Sequence, residues 1–321
     1  MNIFYPVQIF ADWLTFSVFR ITAETLLASA VNFFIFDTIK IILLLVAIIF
    51  TVSLVRSFLP PAKIRDILSR EKKYVGNILA SLLGIITPFC SCSAVPLFLG
   101  FVQAGVPLGT TFSFLVASPM INEVALVLLL GMFGWKIALL YVVSGLAIAT
   151  LSGIVLEKMK LQNLLTEIAT SGDDKQINLA TLSWRERIEY AQDYTIDIVS
   201  KVWLFVVLGV GIGAWMHGFV PADFLAQYVG SDKWYGVPLA VLIGIPLYSN
   251  AAGVVPLVGV LTEKGVAIGT SLAFLMAVTG LSLPEFMILK KVMKTKLIII
   301  FASVVGVGII FTGYLFNAML K

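Results

Sequence analysis

The chain alternates long apolar segments with short polar connections. Eight apolar segments are predicted, at 37–57, 76–104, 107–131, 134–157, 197–217, 236–261, 266–289 and 295–317, and a polar stretch at 158–195 divides them four and four. About 20 apolar residues span a bilayer as a helix. A membrane barrel would instead show alternating segments of about 10 residues. The pattern therefore predicts an all-α polytopic membrane protein.

Composition supports the same class. Of the 321 residues, 60% are hydrophobic and 12% are charged, and the mean hydropathy is +1.02. Soluble domains carry about 25% charged residues. Between Lys73 and Lys136 the only charged residue is Glu123. A chain of this composition needs lipid as solvent on most of its sides.

The two halves of the chain match each other at an offset of 160 residues. Val95-Pro96-Leu97 aligns with Val255-Pro256-Leu257, and Gly105, Val106, Gly109 and Thr110 align with Gly265, Val266, Gly269 and Thr270. Pro and Gly seldom coincide in a fixed register by chance. The sequence therefore predicts two homologous repeats of four segments each.

Proline-containing motifs predict broken helices at matching places in both halves. Residues 76–87 form a helix of about 18 Å, half a membrane, before the motif at 87–93 interrupts it. We expect the same at Ile245-Pro246, and a further break at Ser118-Pro119. Irregular backbone at membrane depth needs a protein or water partner, and paired interruptions are typical of transporter sites.

The Lys and Arg distribution favours inverted repeats. If 76–104 and 236–261 are re-entrant hairpins, each half has three spans and the halves are inverted. The basic loops 56–75 and 158–195 then share the cytoplasmic side, as the positive-inside rule requires, and both termini lie outside. If all eight segments span, the repeats are parallel.

These patterns predict four regions in a bacterial cytoplasmic (inner) membrane protein. They are an N-terminal interfacial helix at 1–36, a first transmembrane repeat at 37–157, a polar cytoplasmic linker at 158–196 and a second transmembrane repeat at 197–317.

Two thiols occupy the predicted break of the first hairpin. Thiolate is the soft ligand among side chains, so Cys90 and Cys92 could bind a thiophilic solute; alternatively, each is a small buried hydrophobe. The second half has Asn250 and Ala252 at those positions. The candidate substrate-binding residues are Pro88, Cys90, Ser91, Cys92, Ser93, Ser118, Asn122, Ser249 and Asn250.

Two carboxyls lie beside predicted helix breaks. Glu123 follows Asn122, and Glu285 occupies a matching place if a two-residue insertion is allowed. A carboxyl within a span costs roughly 2.5–3.5 kcal/mol and is a functional hypothesis by default. Both are candidates for proton coupling, with Glu123 favoured because it shares a half with the cysteines; the alternative is a helix cap. Ser282 and Thr279 are further polar neighbours.

Other polar residues carry weaker hypotheses. His217 is expected at a membrane interface, and Lys40 and Lys201 are expected to snorkel from span ends. Thr110, Thr111 and Ser113 can bond their own helix backbone. With no P-loop or HExxH motif, we expect no ATPase activity, no other enzyme activity, no metal site and no cofactor, and nothing indicates a nucleic-acid partner.

The motifs carry a family resemblance. The run 87–96, then Gly105-Val106-Pro107, then 118–123, resembles a family of bacterial predicted permeases whose best-known members are ArsP-type efflux permeases for trivalent organoarsenicals. The likeness covers about residues 30–320. It implies that Cys90 and Cys92 engage the arsenical, without an ATPase partner.

Three functions compete. The repeats and paired breaks favour a secondary permease for a small thiophilic solute, which could also be another metalloid or sulfur compound. An intramembrane thiol oxidoreductase and a non-transporting assembly protein are the alternatives. Membrane lipid is the other expected partner, and the sequence leaves a homo-oligomer open.

Overall fold

The structure is a computed structural model that describes residues 4–22, 25–58, 74–86, 91–166, 183–219, 233–247 and 251–320. Within these ranges the chain forms helices and no β-strand; a single isolated β-bridge joins Leu165 to Met293. The all-α prediction is therefore confirmed for the described part of the chain.

The first half contains seven α-helices among the described residues. They are α1 (Tyr5–Asp12), continued by a π-helical segment (Trp13–Val18), then α2 (Leu26–Phe58), α3 (Val75–Ile86), α4 (Ser91–Gln103), α5 (Leu108–Met120), α6 (Glu123–Phe133) and α7 (Trp135–Lys158). A short 3₁₀ helix (Leu161–Leu164) follows α7.

The second half repeats this order without the N-terminal α1. Its helices are α8 (Trp184–Phe219), α9 (Gly236–Gly244), α10 (Ala251–Glu263), α11 (Ile268–Gly280), α12 (Leu283–Leu289) and α13 (Thr295–Met319).

Several helices are long and apolar enough to cross a bilayer. Among the described residues these are α2 over Leu26–Thr51, α7, the joined α11 and α12 over Ile268–Leu289, and α13. A fifth arises if α5 and α6 count as one span with a 47° bend. The prediction of a multi-pass helical membrane protein is confirmed. By contrast, α3, with 12 residues, reaches only about half of the hydrocarbon core.

Helix boundaries in the two halves keep a constant spacing. The helices α4, α5, α6 and α7 begin at residues 91, 108, 123 and 135, and α10, α11, α12 and α13 begin at 251, 268, 283 and 295. Each pair of starts differs by 160 residues. In addition, α5 and α11 have the same length of 13 residues.

Helices at corresponding positions also pack against each other across the molecule. The three such pairs are α2 with α8, α5 with α11, and α7 with α13. Gly280 on α11 faces the side chain of Met120 on α5, and Gly308 on α13 faces Ile148 on α7. Two further contacts are crossed: α4 packs against α12, and α10 packs against α6.

Within each half, glycine allows two helices to touch at the backbone. A Cβ atom added at Gly109 would lie 2.5 Å from the carbonyl oxygen of Gly153, and one added at Gly269 would lie 2.5 Å from that of Gly313. Such distances are shorter than van der Waals contact. The helix pairs α5–α7 and α11–α13 are therefore held together in the same way, by small residues as in other membrane bundles.

Two helices begin earlier than the sequence pattern predicts. The span predicted at 37–57 belongs to α2, which begins at Leu26, and the one predicted at 197–217 belongs to α8, which begins at Trp184. Helix α1 lies against the added part of α2 through a polar cluster in which Gln8 and Asn32 donate hydrogen bonds of 2.8 Å each to Asp12.

A capping box starts α8. The Ser183 amide donates to the Glu186 carboxylate at 2.7 Å, and the Glu186 amide donates to Ser183 Oγ at 3.4 Å. These bonds hold the pKa of Glu186 below its usual value. The motif Ser183-Trp184-Arg185-Glu186 is legible in the sequence, and the last part of the predicted linker 158–196 is helical.

Two local predictions differ from the structure. The break predicted at Ser118-Pro119 is present but lies after Met120: α5 continues through Pro119, only Met120 follows the proline in the helix, and the Ile121 amide still bonds the Ala117 carbonyl at 2.9 Å. Lys40 lies midway along α2 instead of near a span end, because α2 begins early; its ammonium is 3.9 Å from the Asp37 carboxylate.

The glycine contact between α5 and α7 gives a stability prediction. A Cβ at position 153 would lie 2.0 Å from Ser113 Oγ and 2.4 Å from the Gly109 carbonyl oxygen, and a backbone atom cannot move away cheaply. Gly153→Ala should therefore lower the free energy of unfolding by about 1–3 kcal/mol, the usual effect of overpacking. Thermal unfolding in detergent measures it.

Gly131→Ala is the matched control, since a Cβ there meets nothing within 4 Å. Equal melting temperatures for the two variants would contradict the close contact.

Candidate functional site

The cysteine motif lies at the start of α4. Ser91, Cys92 and Ser93 are its first three residues, and four residues, 87–90, separate it from the end of α3 at Ile86. The side chains of these three residues, and the whole of Pro88 and Cys90, lie outside the described residues. The structure therefore places Cys92 in the first turn of a half-length helix.

The second hairpin contains the predicted interruption. Helix α9 ends at Gly244, and residues 245–247, which include Pro246, form a turn in which the Leu247 amide bonds the Gly244 carbonyl at 3.1 Å. Ser249 and Asn250 lie outside the described residues, and α10 begins at Ala251. This break is confirmed where it was predicted.

The junction between α5 and α6 is an ordered break. Asn122 caps α6, since its Oδ1 accepts hydrogen bonds from the amides of Val124 at 2.7 Å and Ala125 at 3.4 Å. On the α5 side, the Tyr141 hydroxyl donates to the Met120 carbonyl at 2.6 Å. Asn122 thus has a structural role in addition to its predicted place at the site.

Glu123 is the first residue of α6, and its side chain is exposed in the isolated chain. A carboxylate in the first turn of a helix interacts favourably with the helix dipole. The position agrees with the helix-terminus alternative raised from the sequence.

The corresponding junction between α11 and α12 carries the other carboxyl. Ser282 is the residue before α12, and the Leu283 amide donates to the Ile245 carbonyl at 2.9 Å. The start of α12 is therefore tied to the turn of the second hairpin. Glu285 follows in the first turn of α12 and is 0% exposed.

Glu123 and Glu285 are not structural counterparts. Because α6 and α12 begin 160 residues apart with no insertion, Glu285 corresponds to Ala125 and Glu123 corresponds to Leu283. The two-residue insertion assumed from the sequence is wrong. Ala125 is also 0% exposed, so one position holds a buried methyl group in the first half and a buried carboxyl in the second.

A buried polar cluster between α3, α5 and α7 was missed. Asn77 Nδ2 donates to Ser113 Oγ at 3.0 Å, and the hydroxyls of Ser81 and Thr150 are 3.3 Å apart. The Asn77 side-chain carbonyl has no hydrogen-bond partner among the residues that the structure describes. The spacing of Asn77 and Ser81, four residues apart in an apolar segment, was the signal. The corresponding residues in the second half are apolar: Val237, Val241, Ala273 and Ile310.

The weaker hydroxyl candidates behave in part as expected. Thr111 donates to the Pro107 carbonyl at 3.0 Å, and Thr279 donates to the Leu275 carbonyl at 2.9 Å, each four residues back in its own helix. Ser118 is buried in α5. Among the described residues, no group of three or more His, Cys, Asp or Glu could hold a metal ion.

A bundle of apolar helices that is interrupted in both halves, with a buried carboxyl beside one interruption, is the architecture of a multi-pass membrane transport protein. The model of the predicted-permease family ArsP_1 matches residues 26–318, and the chain belongs to that family. The family resemblance drawn from the motifs is confirmed.

Curated relatives agree with this assignment. The chain is 23% identical to a UPF0718 protein of Methanocaldococcus jannaschii, over 74% of this chain and 82% of the relative. It is 24% identical to the UPF0718 protein YraQ of Escherichia coli, over 81% and 73%. A Streptococcus mutans protein, whose name proposes a subunit of a two-component membrane permease complex, is 25% identical over 77% and 81%. No solved structure gives a significant match to the chain.

The Asn122 cap gives a second prediction. Asn122→Ala removes the acceptor for two amides at the start of α6 and should cost about 1 kcal/mol of stability, whereas Asn122→Asp keeps an acceptor oxygen and should cost less. Thermal unfolding of the two variants in parallel measures the difference. If Asn122→Asp proves as unstable as Asn122→Ala, the side chain has a role other than capping.

Proposed function

We propose that this protein is a secondary permease of the bacterial cytoplasmic membrane that exports a small thiophilic solute, for example a trivalent organoarsenical. The observation that carries the proposal is the pair of matched helix breaks between α5 and α6 and between α11 and α12, joined to the sequence prediction of a further break at Cys90 and Cys92. Paired interruptions around the middle of a bundle are the best structural indicator of a transporter site.

Thiol chemistry fits such a substrate. A methylated trivalent arsenical offers two exchangeable positions, and two neighbouring thiols can occupy both. Transport requires that binding be reversible, so thiol exchange has to be fast, which a thiolate accessible from a solvated cavity favours. The same chemistry would serve another soft metalloid or sulfur compound.

An intramembrane thiol oxidoreductase is the alternative. It would normally pass electrons to a second thiol pair, and the chain contains only two cysteines. Membership of a predicted-permease family and the names of the relatives also favour transport.

The repeats are proposed to be inverted. The crossed contacts, in which α4 meets α12 and α10 meets α6, are reciprocal, as a two-fold axis requires. An axis in the membrane plane requires an odd number of spans in each half. Three are proposed for each: α2, α5 with α6, and α7 in the first half, and α8, α11 with α12, and α13 in the second. The Lys and Arg distribution supports this choice, since the basic loops then share the cytoplasmic side.

The proton gradient across the membrane is proposed as the energy source, through exchange of protons for the solute. A carboxyl that is protonated in one access state and ionised in the other can carry the proton. Glu123 and Glu285 are the candidates from the sequence.

The proposed substrate site predicts a clear mutational result. In everted vesicles, uptake of a trivalent methylarsenical should fall at least about tenfold in Cys90→Ser/Cys92→Ser at equal expression, because a hard, neutral hydroxyl oxygen replaces the soft thiolate ligand. Inorganic arsenite and a simple thiol serve as competing solutes. Unchanged uptake by the double variant would remove the cysteines from the site.

The inverted arrangement predicts opposite sides for two loops. Single cysteines introduced into the Cys90→Ser/Cys92→Ser chain at a position in 158–183 and at Lys233 should react with an impermeant maleimide from the cytoplasmic and the external face, respectively. Reaction of both from one face would rule out inversion.

A further inference from the structure

The connection that follows α7 is tied to the turn between α12 and α13. The Thr166 amide donates to the Val292 carbonyl at 3.0 Å, and the Thr166 hydroxyl donates to the Lys291 carbonyl at 2.9 Å. In return, the Lys294 amide donates to the Leu164 carbonyl at 2.9 Å. Together with the isolated β-bridge beside them, these bonds join the two halves of the chain at one end of the bundle.

Lysines surround this connection. The Lys294 ammonium donates to the Asn163 carbonyl of the other half at 3.1 Å. A 3₁₀ helix rises about 2 Å per residue, so Lys160 lies about 8 Å along the chain from Leu164, within a Debye length of about 10 Å. Five lysines of the two joined segments are exposed and form no ion pair within the described residues, and we call them the basic surface: Lys158, Lys160, Lys290, Lys294 and Lys296.

The acidic residues on adjoining helices do not neutralise the basic surface. Glu157 precedes Lys158, but its Oε2 lies 2.6 Å from where a Cβ at Gly109 would stand, so its carboxylate turns toward the start of α5. Helix α8 packs against α12 and carries four acidic residues. None of these forms an ion pair with the basic surface in the described part of the chain: Glu186, Glu189, Asp193 and Asp197.

The basic surface lies at the level of the lipid headgroups. Helices α7 and α13 are each long and apolar enough to span a bilayer, and the basic surface occupies the end of α7 and the start of α13. Within one helical turn of its lysines, the apolar side chains of Val155, Met159 and Ile299 are exposed. A phospholipid matches both features, because its phosphate accepts hydrogen bonds from ammonium groups and its acyl chains cover apolar side chains.

We propose that the basic surface binds the headgroup of an anionic phospholipid, and that the two halves of the chain share this lipid. The hydrogen bonds between the two segments hold lysines of both halves beside one another before any lipid arrives. The site is separate from the proposed substrate site, and it does not depend on which solute the protein transports.

The fold itself does not require these lysines. The residues 160 positions away from the five are, in order, Ala318, Leu320, Leu130, Gly134 and Lys136. Only one of these is charged, and yet α7 begins at the position that matches the start of α13. Since the same helix start forms in the first half with one lysine at these positions, the extra positive charge serves binding better than it serves folding.

The experiment measures lipid binding to the full chain. Protein in detergent is titrated with phosphatidylglycerol or with phosphatidylcholine of the same acyl chains, and bound lipid is counted by native mass spectrometry. Lys158→Gln/Lys160→Gln removes two charges from the first half, and Lys290→Gln/Lys296→Gln removes two from the second. The four side chains are exposed, so glutamine leaves the packing intact, and a fourfold variant combines the two pairs.

A lysine close to an anionic lipid surface strengthens binding about fivefold, so the parent should prefer phosphatidylglycerol over phosphatidylcholine by at least about tenfold. Each double variant should weaken phosphatidylglycerol binding by about tenfold, and the fourfold variant should lose the preference. Lys136→Gln/Lys233→Gln is the matched control, since it removes two exposed lysines outside the basic surface and should stay within about twofold of the parent.

Three results would overturn the inference. They are a fourfold variant that keeps the preference, a control that loses as much affinity as the double variants, and a loss confined to one double variant, which would show that the halves do not share the lipid.

Competition identifies the ligand class. Inorganic phosphate and a polyglutamate peptide are each added to the parent protein with phosphatidylglycerol. Little displacement by either is expected, because neither covers the exposed apolar side chains. Full displacement by millimolar phosphate would reveal a site for free phosphate, and full displacement by polyglutamate would point to an acidic protein partner; either result would overturn the assignment to a lipid.

Discussion

The fold depends on one constraint: each backbone N–H and C=O inside a bilayer needs a partner from the protein or from a wet cavity. Continuous helices satisfy it within one segment, but this chain interrupts its helices in both halves. Each described interruption is supplied with partners from elsewhere. Asn122 Oδ1 accepts hydrogen bonds from amides at the start of α6, and the Tyr141 hydroxyl donates to the Met120 carbonyl. The Leu283 amide donates to the Ile245 carbonyl. The breaks are therefore built into the bundle, and each one fixes a neighbouring helix in place.

Much of the fold could be predicted because the deciding signals are local in sequence. The length of the apolar segments predicted the spans, and Pro246 predicted the turn of the second hairpin. The early start of α8 was missed because its first turns are polar and look like linker, although α8 has a capping box at Ser183. That of α2 was missed because its apolar first turns were assigned to the interfacial helix at 1–36. Polarity alone does not separate an interfacial turn of helix from a loop.

The candidate site was less predictable, because it depends on which helices meet. The sequence placed Glu123 with the cysteines on account of their shared half. The packing instead joins α4 to α12, which no local signal indicates. Burial is equally non-local: the sequence offers Glu123 and Glu285 as similar carboxyls, whereas one is exposed and the other is 0% exposed. Asn77 was overlooked since one amide in an apolar segment has little weight until Ser113 is seen beside it.

The glycine contacts inside each half differ from those at the boundary between the halves. Inside each half, the approaches of Gly109 to Gly153 and of Gly269 to Gly313 leave no space even for a Cβ atom, so these helix pairs are held backbone to backbone. Between the halves, Gly280 meets the thioether of Met120 and Gly308 meets the branched side chain of Ile148, at 3.1 and 3.2 Å from where a Cβ would stand. A methionine can change rotamer at little energetic cost. The boundary between the halves therefore accommodates a small displacement through Met120 more readily than the backbone contacts inside each half do.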